Sequence, residues 1–180
     1  GGFGKAKGQA KREAKAKAKG QAKEVATAAA GLPAGVKDGY RTSQTAWLPF
    51  GSDRTLGDVQ NRTARLLGLS LADFIPLVED LQVVHYGPGE RFGVHHDSSA
   101  GFQRRDLTLL IYLNDVEEGG ETVFPEAVEV GPDGLVVTPQ VGTAVLFYNL
   151  QEEDREPDPA AVHQAQPVIK GEKYACNLWV

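Results

Sequence analysis

The residues with the clearest chemical potential are His95-His96-Asp97. In an extended segment alternate side chains share a face, so His95 and Asp97 point one way and His96 the other. An imidazole beside a carboxylate suits a borderline metal ion. A second imidazole would complete the two-histidine, one-carboxylate set that holds non-haem Fe(II) with positions left open for reaction. His-x-Asp alone is a short pattern of low specificity. With only four histidines in the chain, the search for a third ligand is brief. His85 sits in Val83-Val84-His85-Tyr86 and reads as a structural histidine, while His96 faces away from the other two. His163, far downstream, is left, and the residues alone allow it to be either a ligand or an ordinary strand histidine.

A second chemical signal lies beyond His163. Lys173 stands at the start of the apolar run Lys173–Val180. A lysine so placed must either run its stem out to solvent or pair with an anion. An Fe(II) site with open positions needs a co-substrate to supply electrons. One such molecule, 2-oxoglutarate, carries a distal carboxylate that wants a fixed cation.

These residues need a frame, and the pattern after Asp80 is that of strands. Period-2 or wholly apolar runs cover Leu81–Tyr86, Arg91–His95, Leu107–Leu113, Glu121–Phe124, Leu135–Thr138, Thr143–Asn149, Val162–Ile169 and Lys173–Val180. Turn sequences separate them, among them Gly87-Pro88-Gly89, Glu117-Glu118-Gly119-Gly120, Gly131-Pro132-Asp133-Gly134 and Lys170-Gly171-Glu172. Thr143–Tyr148 is apolar on both faces, which predicts a central strand. Upstream, Arg41–Leu48 reads as extended. Ser52 or Asp53 caps a helix over about Thr55–Leu67 whose buried stripe would be Leu56, Val59, Thr63, Leu66 and Leu67, ended by Gly68. Ser70 caps a further helical turn. Many short strands behind a helical segment predict a mainly β protein, a double-sheet jelly roll with a helical buttress.

Residues 1–30 are different in kind, with eight lysines and arginines against two glutamates, in a chain whose net charge is −5. They repeat Gly, Ala, Lys and Gln with no apolar stripe for packing. Residues 1–38 are therefore expected to be a basic low-complexity arm and 39–180 the folded domain. The arm reads first as a solvated tether. Contact with an anionic partner is the weaker alternative, since no aromatic residues are interleaved to stack on bases. The longest apolar run, Leu107–Leu113, falls far short of the ~20 residues of a spanning helix, so the chain is expected to be soluble. The single cysteine, Cys176, excludes an internal disulfide and is compatible with a reducing compartment. The chain starts at Gly1 and contains no methionine, which reads as a trimmed piece without information on targeting.

Taken in order, these motifs resemble the prolyl 4-hydroxylase type of Fe(II)- and 2-oxoglutarate-dependent dioxygenases from about Tyr40 to Val180. The marks are Arg41-Thr42-Ser43, Tyr86-Gly87-Pro88-Gly89-Glu90-Arg91-Phe92, His95-x-Asp97, Arg105-x-x-Thr108, Ile111 to Pro125, and His163-x-x-x-Pro167-Val168-x-x-Gly171-Glu172-Lys173. The resemblance implies a double-stranded β-helix, cupin-like, with His95, Asp97 and His163 as iron ligands and catalytic centre. It implies that Lys173 and Tyr86 hold the distal carboxylate of 2-oxoglutarate, with Thr108 lining the same pocket. Arg105, Trp179 and Phe92 match positions near a peptide substrate. Phe92 stands where many members have a tyrosine, which removes a substrate-side hydrogen bond. The implied reaction consumes 2-oxoglutarate and O2, releases succinate and CO2, and hydroxylates a proline-containing peptide, with ascorbate restoring oxidised iron. Two alternatives remain: the same chemistry on another side chain or small molecule, and a structural or binding subunit that keeps the fold.

Overall fold

The computed structural model describes residues 35–98, 104–131 and 134–180. The expected basic arm falls almost wholly outside these residues, as does the centre of the Gly131–Gly134 turn. Among the described residues, eleven strands and two α-helices follow one another. They are β1 (Gln44–Leu48), α1 (Arg54–Leu66), α2 (Leu71–Phe74), β2 (Leu81–Tyr86), β3 (Phe92–His95), β4 (Leu107–Tyr112) and β5 (Glu118–Gly119). Next come β6 (Thr122–Phe124), β7 (Leu135–Val137), β8 (Ala144–Tyr148), a 3-10 turn (Pro159–Ala161), β9 (His163–Ala165), β10 (Val168–Lys170) and β11 (Lys173–Trp179). They form a five-stranded sheet in the order β1-β2-β11-β4-β8, a four-stranded sheet β3-β9-β6-β7 and the pair β10-β5. Every pairing is antiparallel.

The five-stranded sheet is covered on both sides, and its period-2 alternation divides the labour. Leu81, Leu109, Cys176 and Leu178 face the helices and pack with Leu56, Ala64 and Phe74. Fully burying one such leucine or phenylalanine contributes about 1.5–3 kcal/mol. The residues between them in sequence turn to the opposite face, towards the smaller sheet: Val84 and Tyr86, Thr108, Leu110 and Tyr112, Lys173 and Ala175. This second face carries the polar residues of interest. It does so because the first already anchors the sheet.

Helix α1 begins where expected. The Asp53 side chain accepts from Thr55 N at 2.7 Å. Leu69 N–H bonds to Ala64 O and Gly68 N–H to Arg65 O, a Schellman ending that needs the positive φ (71°) of Gly68. Its stripe differs from the expected one. Leu66 is 63% exposed, while Gln60 and Ala64 are buried, because at about 100° per residue Leu66 falls on the opposite flank from Ala64 of the face that Leu56, Gln60 and Thr63 share.

Two strand expectations are also corrected. β8 lies at the edge of its sheet and pairs only with β4. Its two apolar faces arise because Leu146 packs towards the helices while Val145 and Phe147 pack between the sheets. The expected single strand Val162–Ile169 is two strands in different sheets. Pro167 between them lacks an N–H and so interrupts the ladder, and β10 pairs instead with Glu118–Gly119, residues read above as turn.

Before β1, residues 37–42 strap β3 from outside. Lys37 N donates to Gly89 O (2.8 Å), Thr42 N to Arg91 O (3.0 Å) and Gly93 N to Tyr40 O (2.7 Å). Gly93 is required here, since a Cβ would meet the Tyr40 ring at 2.7 Å.

Candidate active site

β3 and β9 are neighbours, and their register sets His95 directly opposite His163. Strand pairing alone thus brings together two histidines distant in sequence, with ring centroids 4.2 Å apart. Asp97 follows two residues later. One ligand atom from each of the three lies within 4.8 Å of the others.

Each ring is oriented by the same device. His95 Nδ1 donates to Gly93 O (2.8 Å) and His163 Nδ1 to Ala161 O (2.9 Å), in both cases two residues back. The proton is thereby held on Nδ1, and both Nε2 lone pairs point towards Asp97, at 3.6 Å from Oδ1 and 3.9 Å from Oδ2. Asp97 Oδ2 accepts from the Thr108 hydroxyl (2.8 Å) and the Trp179 indole N–H (3.1 Å), while Oδ1 has no such donor. Burial, then the neighbouring His163, pushes the His95 pKa down to about 4, so the ring is neutral near pH 7. Burial would raise the Asp97 carboxyl, but His163, His95 and the Trp179 and Thr108 hydrogen bonds overcome it and hold the pKa low. Two imidazoles and one carboxylate, their ligand atoms close together, fit a divalent cation.

The cleft beyond this triad runs between the sheets and is lined by Val84, Tyr86, Phe92, Leu110, Thr122, Ala165, Lys173 and Ala175. Lys173 is only 2% exposed and opposes Tyr86 in the β2–β11 register. Its ammonium donates to Gly120 O (2.6 Å) and reaches Thr122 Oγ1 at 3.4 Å, but forms no ion pair among the described residues. Burial draws its pKa down to about 8. A buried ammonium without an ion-pair partner is costly, Glu121 being only a weaker, more distant charge, and an anion in the cleft would relieve it. Burial pushes the Tyr86 phenol up to about 12, leaving it a neutral hydrogen-bond donor.

The other expected site residues are placed as follows. Thr108 sits on Asp97 and not beside Lys173. It pairs with Trp179 in the β4–β11 register, six residues from Lys173, or about 20 Å along the strand. The threonine near Lys173 is Thr122, which also accepts from Tyr112 Oη (2.8 Å). With both lone pairs engaged, its own proton is free for the cleft. Sequence reasoning missed Thr122, although the alternation of Thr122-Val123-Phe124 was a signal that it faces inwards. Arg105 makes a two-pronged pair with Glu79 (2.6 and 2.9 Å) and stacks on Trp179 at 3.5 Å, so its charge is already matched. Trp179 is buried, its donor spent on Asp97. Phe92 stacks on His95 (3.7 Å, 17°), with Arg41 over its ring at 4.5 Å. His96 and His85 stand apart: His96 accepts from Ser98 N and donates to Asp158 O, and His85 stacks on Tyr174.

The family profile described as the 2OG-Fe(II) oxygenase superfamily matches residues 81–180, the stretch that carries the triad, Tyr86, Thr122 and Lys173. The chain belongs to that superfamily. Membership implies Fe(II), 2-oxoglutarate and dioxygen, and both ends of the cleft fit: a triad for the metal, a buried cation for a dicarboxylate. This 2OG-Fe(II) oxygenase domain is 36% identical over 161 residues to probable prolyl 4-hydroxylase 10 of Arabidopsis thaliana, covering 78% of the chain and 53% of the relative. It is 36% identical over 151 residues to prolyl 4-hydroxylase subunit alpha-1 of Rattus norvegicus, covering 78% of the chain and 26% of the relative. The chain thus spans about half the length of the plant relative. Among solved structures, the viral collagen prolyl hydroxylase of Paramecium Bursaria Chlorella virus-1, as its 2OG complex, superposes with a TM-score of 0.65 at 28% identity over 78% of each chain. A Pseudomonas putida prolyl-4-hydroxylase shares the fold, with a TM-score of 0.55 at 22% identity over 77% of this chain and 68% of its own. The oxygenase fold is the double-stranded β-helix expected. No helix among the described residues is long and apolar enough to cross a membrane.

Proposed function

We propose that the chain hydroxylates peptidyl proline at C4, with 2-oxoglutarate as co-substrate and His95, Asp97 and His163 as ligands of Fe(II). The observation that carries this reading is a convergent triad in the same cleft as an unpaired, buried lysine. When bound, the iron supplies activation of dioxygen coupled to oxidative decarboxylation of 2-oxoglutarate to succinate and CO2. The remaining roles belong to the protein. Lys173 takes the distal carboxylate, which replaces the missing counter-charge, and the Thr122 and Tyr86 hydroxyls donate to the same group. Val84, Leu110, Ala165 and Ala175 exclude water from the cleft. Asp97 offers Oδ1 while its Oδ2 is held.

Proline as substrate is supported by the names of the relatives at 36% identity. Ascorbate is proposed as the reductant that maintains the ferrous state. Residues 1–38 are proposed as a basic tether ahead of the catalytic domain, the anionic partner remaining the weaker reading. The Lys37 ammonium on buried Glu90 (2.7 Å) supports a domain that begins a few residues before 39. Phe92 favours a second reading, another side chain or small molecule as substrate, because its ring offers no hydrogen bond at the cleft.

The test is 2-oxoglutarate turnover with Fe(II) and ascorbate, with and without a poly-proline peptide. Peptide-dependent succinate and a +16 Da product at proline are expected. Succinate formation that ignores the peptide would reject proline as substrate, and no succinate under any condition would reject the activity.

A further inference from the structure

Asp97 Oδ2 is held by two donors, and one of them is itself held. Thr108, 1% exposed, gives its single hydroxyl proton to Asp97 Oδ2 (2.8 Å). The oxygen of that hydroxyl accepts from Asn149 Nδ2 at 2.9 Å. Asn149 is completely buried and locked by its backbone, N to Asp106 O and O from Asp158 N, both at 2.9 Å. Its Oδ1 is buried with no hydrogen-bond partner. Leaving a buried carbonyl without a donor is costly.

The amide orientation accounts for this cost. Turned over, the amide would present Oδ1 to Thr108, and that oxygen would compete for the only hydroxyl proton. Asp97 would then lose a donor. With the NH2 group towards Thr108, the hydroxyl oxygen is occupied and its proton is committed to Asp97.

We propose that Asn149 and Thr108 form a one-way donor relay that positions Asp97, pinning Oδ2 so that Oδ1 alone is presented to the metal. Neither residue touches the metal point or the Lys173 end; both are positioning residues. The relay rests on the reading of His95, Asp97 and His163 as the metal site. Groups that orient a metal ligand typically change affinity by about 10–100-fold when removed.

The test is anaerobic calorimetric titration of the full chain with Mn(II), alongside melting temperature. Thr108→Val is expected to weaken Mn(II) binding about tenfold, and Thr108→Ser, which keeps the hydroxyl, to restore it to within about twofold. Asn149→Leu is expected to weaken binding several-fold alone and to add nothing in the Thr108→Val background, since residues acting through one contact are non-additive. Independent, additive losses, or an unchanged affinity in folded Thr108→Val, would overturn the relay. Should Asn149→Leu fail to fold, Asn149→Ala and the Thr108 pair decide by the same criteria. A wild-type chain that binds no Mn(II), or binds it equally as His163→Ala, would instead overturn the metal-site reading beneath the relay.

Discussion

The two ends of the cleft are prepared in opposite ways. At the triad, the three proposed ligands are already oriented: His95 and His163 by backbone carbonyls, Asp97 by Thr108 and Trp179. At the far end Lys173 is desolvated and forms no ion pair among the described residues, Glu121 acting only as a weaker, more distant charge, and its pKa falls to about 8. One end is pre-organised and needs only its ion. The other stores an unfavourable charge that a carboxylate relieves. This difference teaches that metal and co-substrate are recognised by separate means, so each can be disturbed without the other.

The largest effect is expected from His163→Ala, which removes one of three ligands. Turnover of 2-oxoglutarate should fall to background, with the circular dichroism spectrum and melting temperature near wild type; retained turnover would remove His163 from the site. Next is Lys173→Met. Truncating one partner of a buried charge pair costs about 2–5 kcal/mol, so 2-oxoglutarate should bind at least about thirtyfold more weakly while Mn(II) affinity stays within about twofold. The same change should stabilise the ligand-free protein, because a buried unpaired ammonium is replaced by an apolar chain. Loss of stability would contradict the contrast between the two ends.

The pH dependence follows from the same lysine. Its folded pKa of about 8 lies below the ordinary value of 10.5. Between these values the unfolded chain holds more protons than the folded one, so the stability of the ligand-free protein rises with pH across that window. Below pH 8 both states are protonated and the full penalty persists. The advantage of Lys173→Met in melting temperature should therefore shrink from pH 8 to 10. Over the same range 2-oxoglutarate affinity should weaken in wild type, since the ammonium is being lost. The smallest effect is expected from Thr122→Val, about three- to tenfold in 2-oxoglutarate affinity and none in Mn(II) affinity. An effect on the metal alone would mean that the two threonines have been assigned to the wrong ends.

Those threonines also mark what could be read in the sequence. His95 and Asp97 were legible as a candidate pair because few residue types can do their chemistry and alternation puts them on one face, whereas His163 and Lys173 gained their proposed roles only through the family resemblance. The family resemblance points to Thr108 for the co-substrate pocket, and nothing in the reading of the sequence singles out Thr122. Which one meets Lys173 depends on how β11 registers against β4 and where β6 lies, and neither is encoded in local pattern. The same limit explains β8, whose two apolar faces are equally consistent with an edge strand between two cores. It also explains Arg105 and Trp179, whose partners Glu79 and Asp97 come from distant parts of the chain. Leu66 shows a different limit, since helical periodicity places it and Ala64 on the two flanks of the stripe and cannot tell which flank is covered.

The most direct measurement is anaerobic titration of 2-oxoglutarate into the Fe(II)-loaded chain, followed by its visible metal-to-ligand charge-transfer absorption. A single site is expected, requiring iron, absent in His163→Ala and much weakened in Lys173→Met. Binding that is indifferent to iron, or to Lys173, would contradict the assignment of one cleft to both.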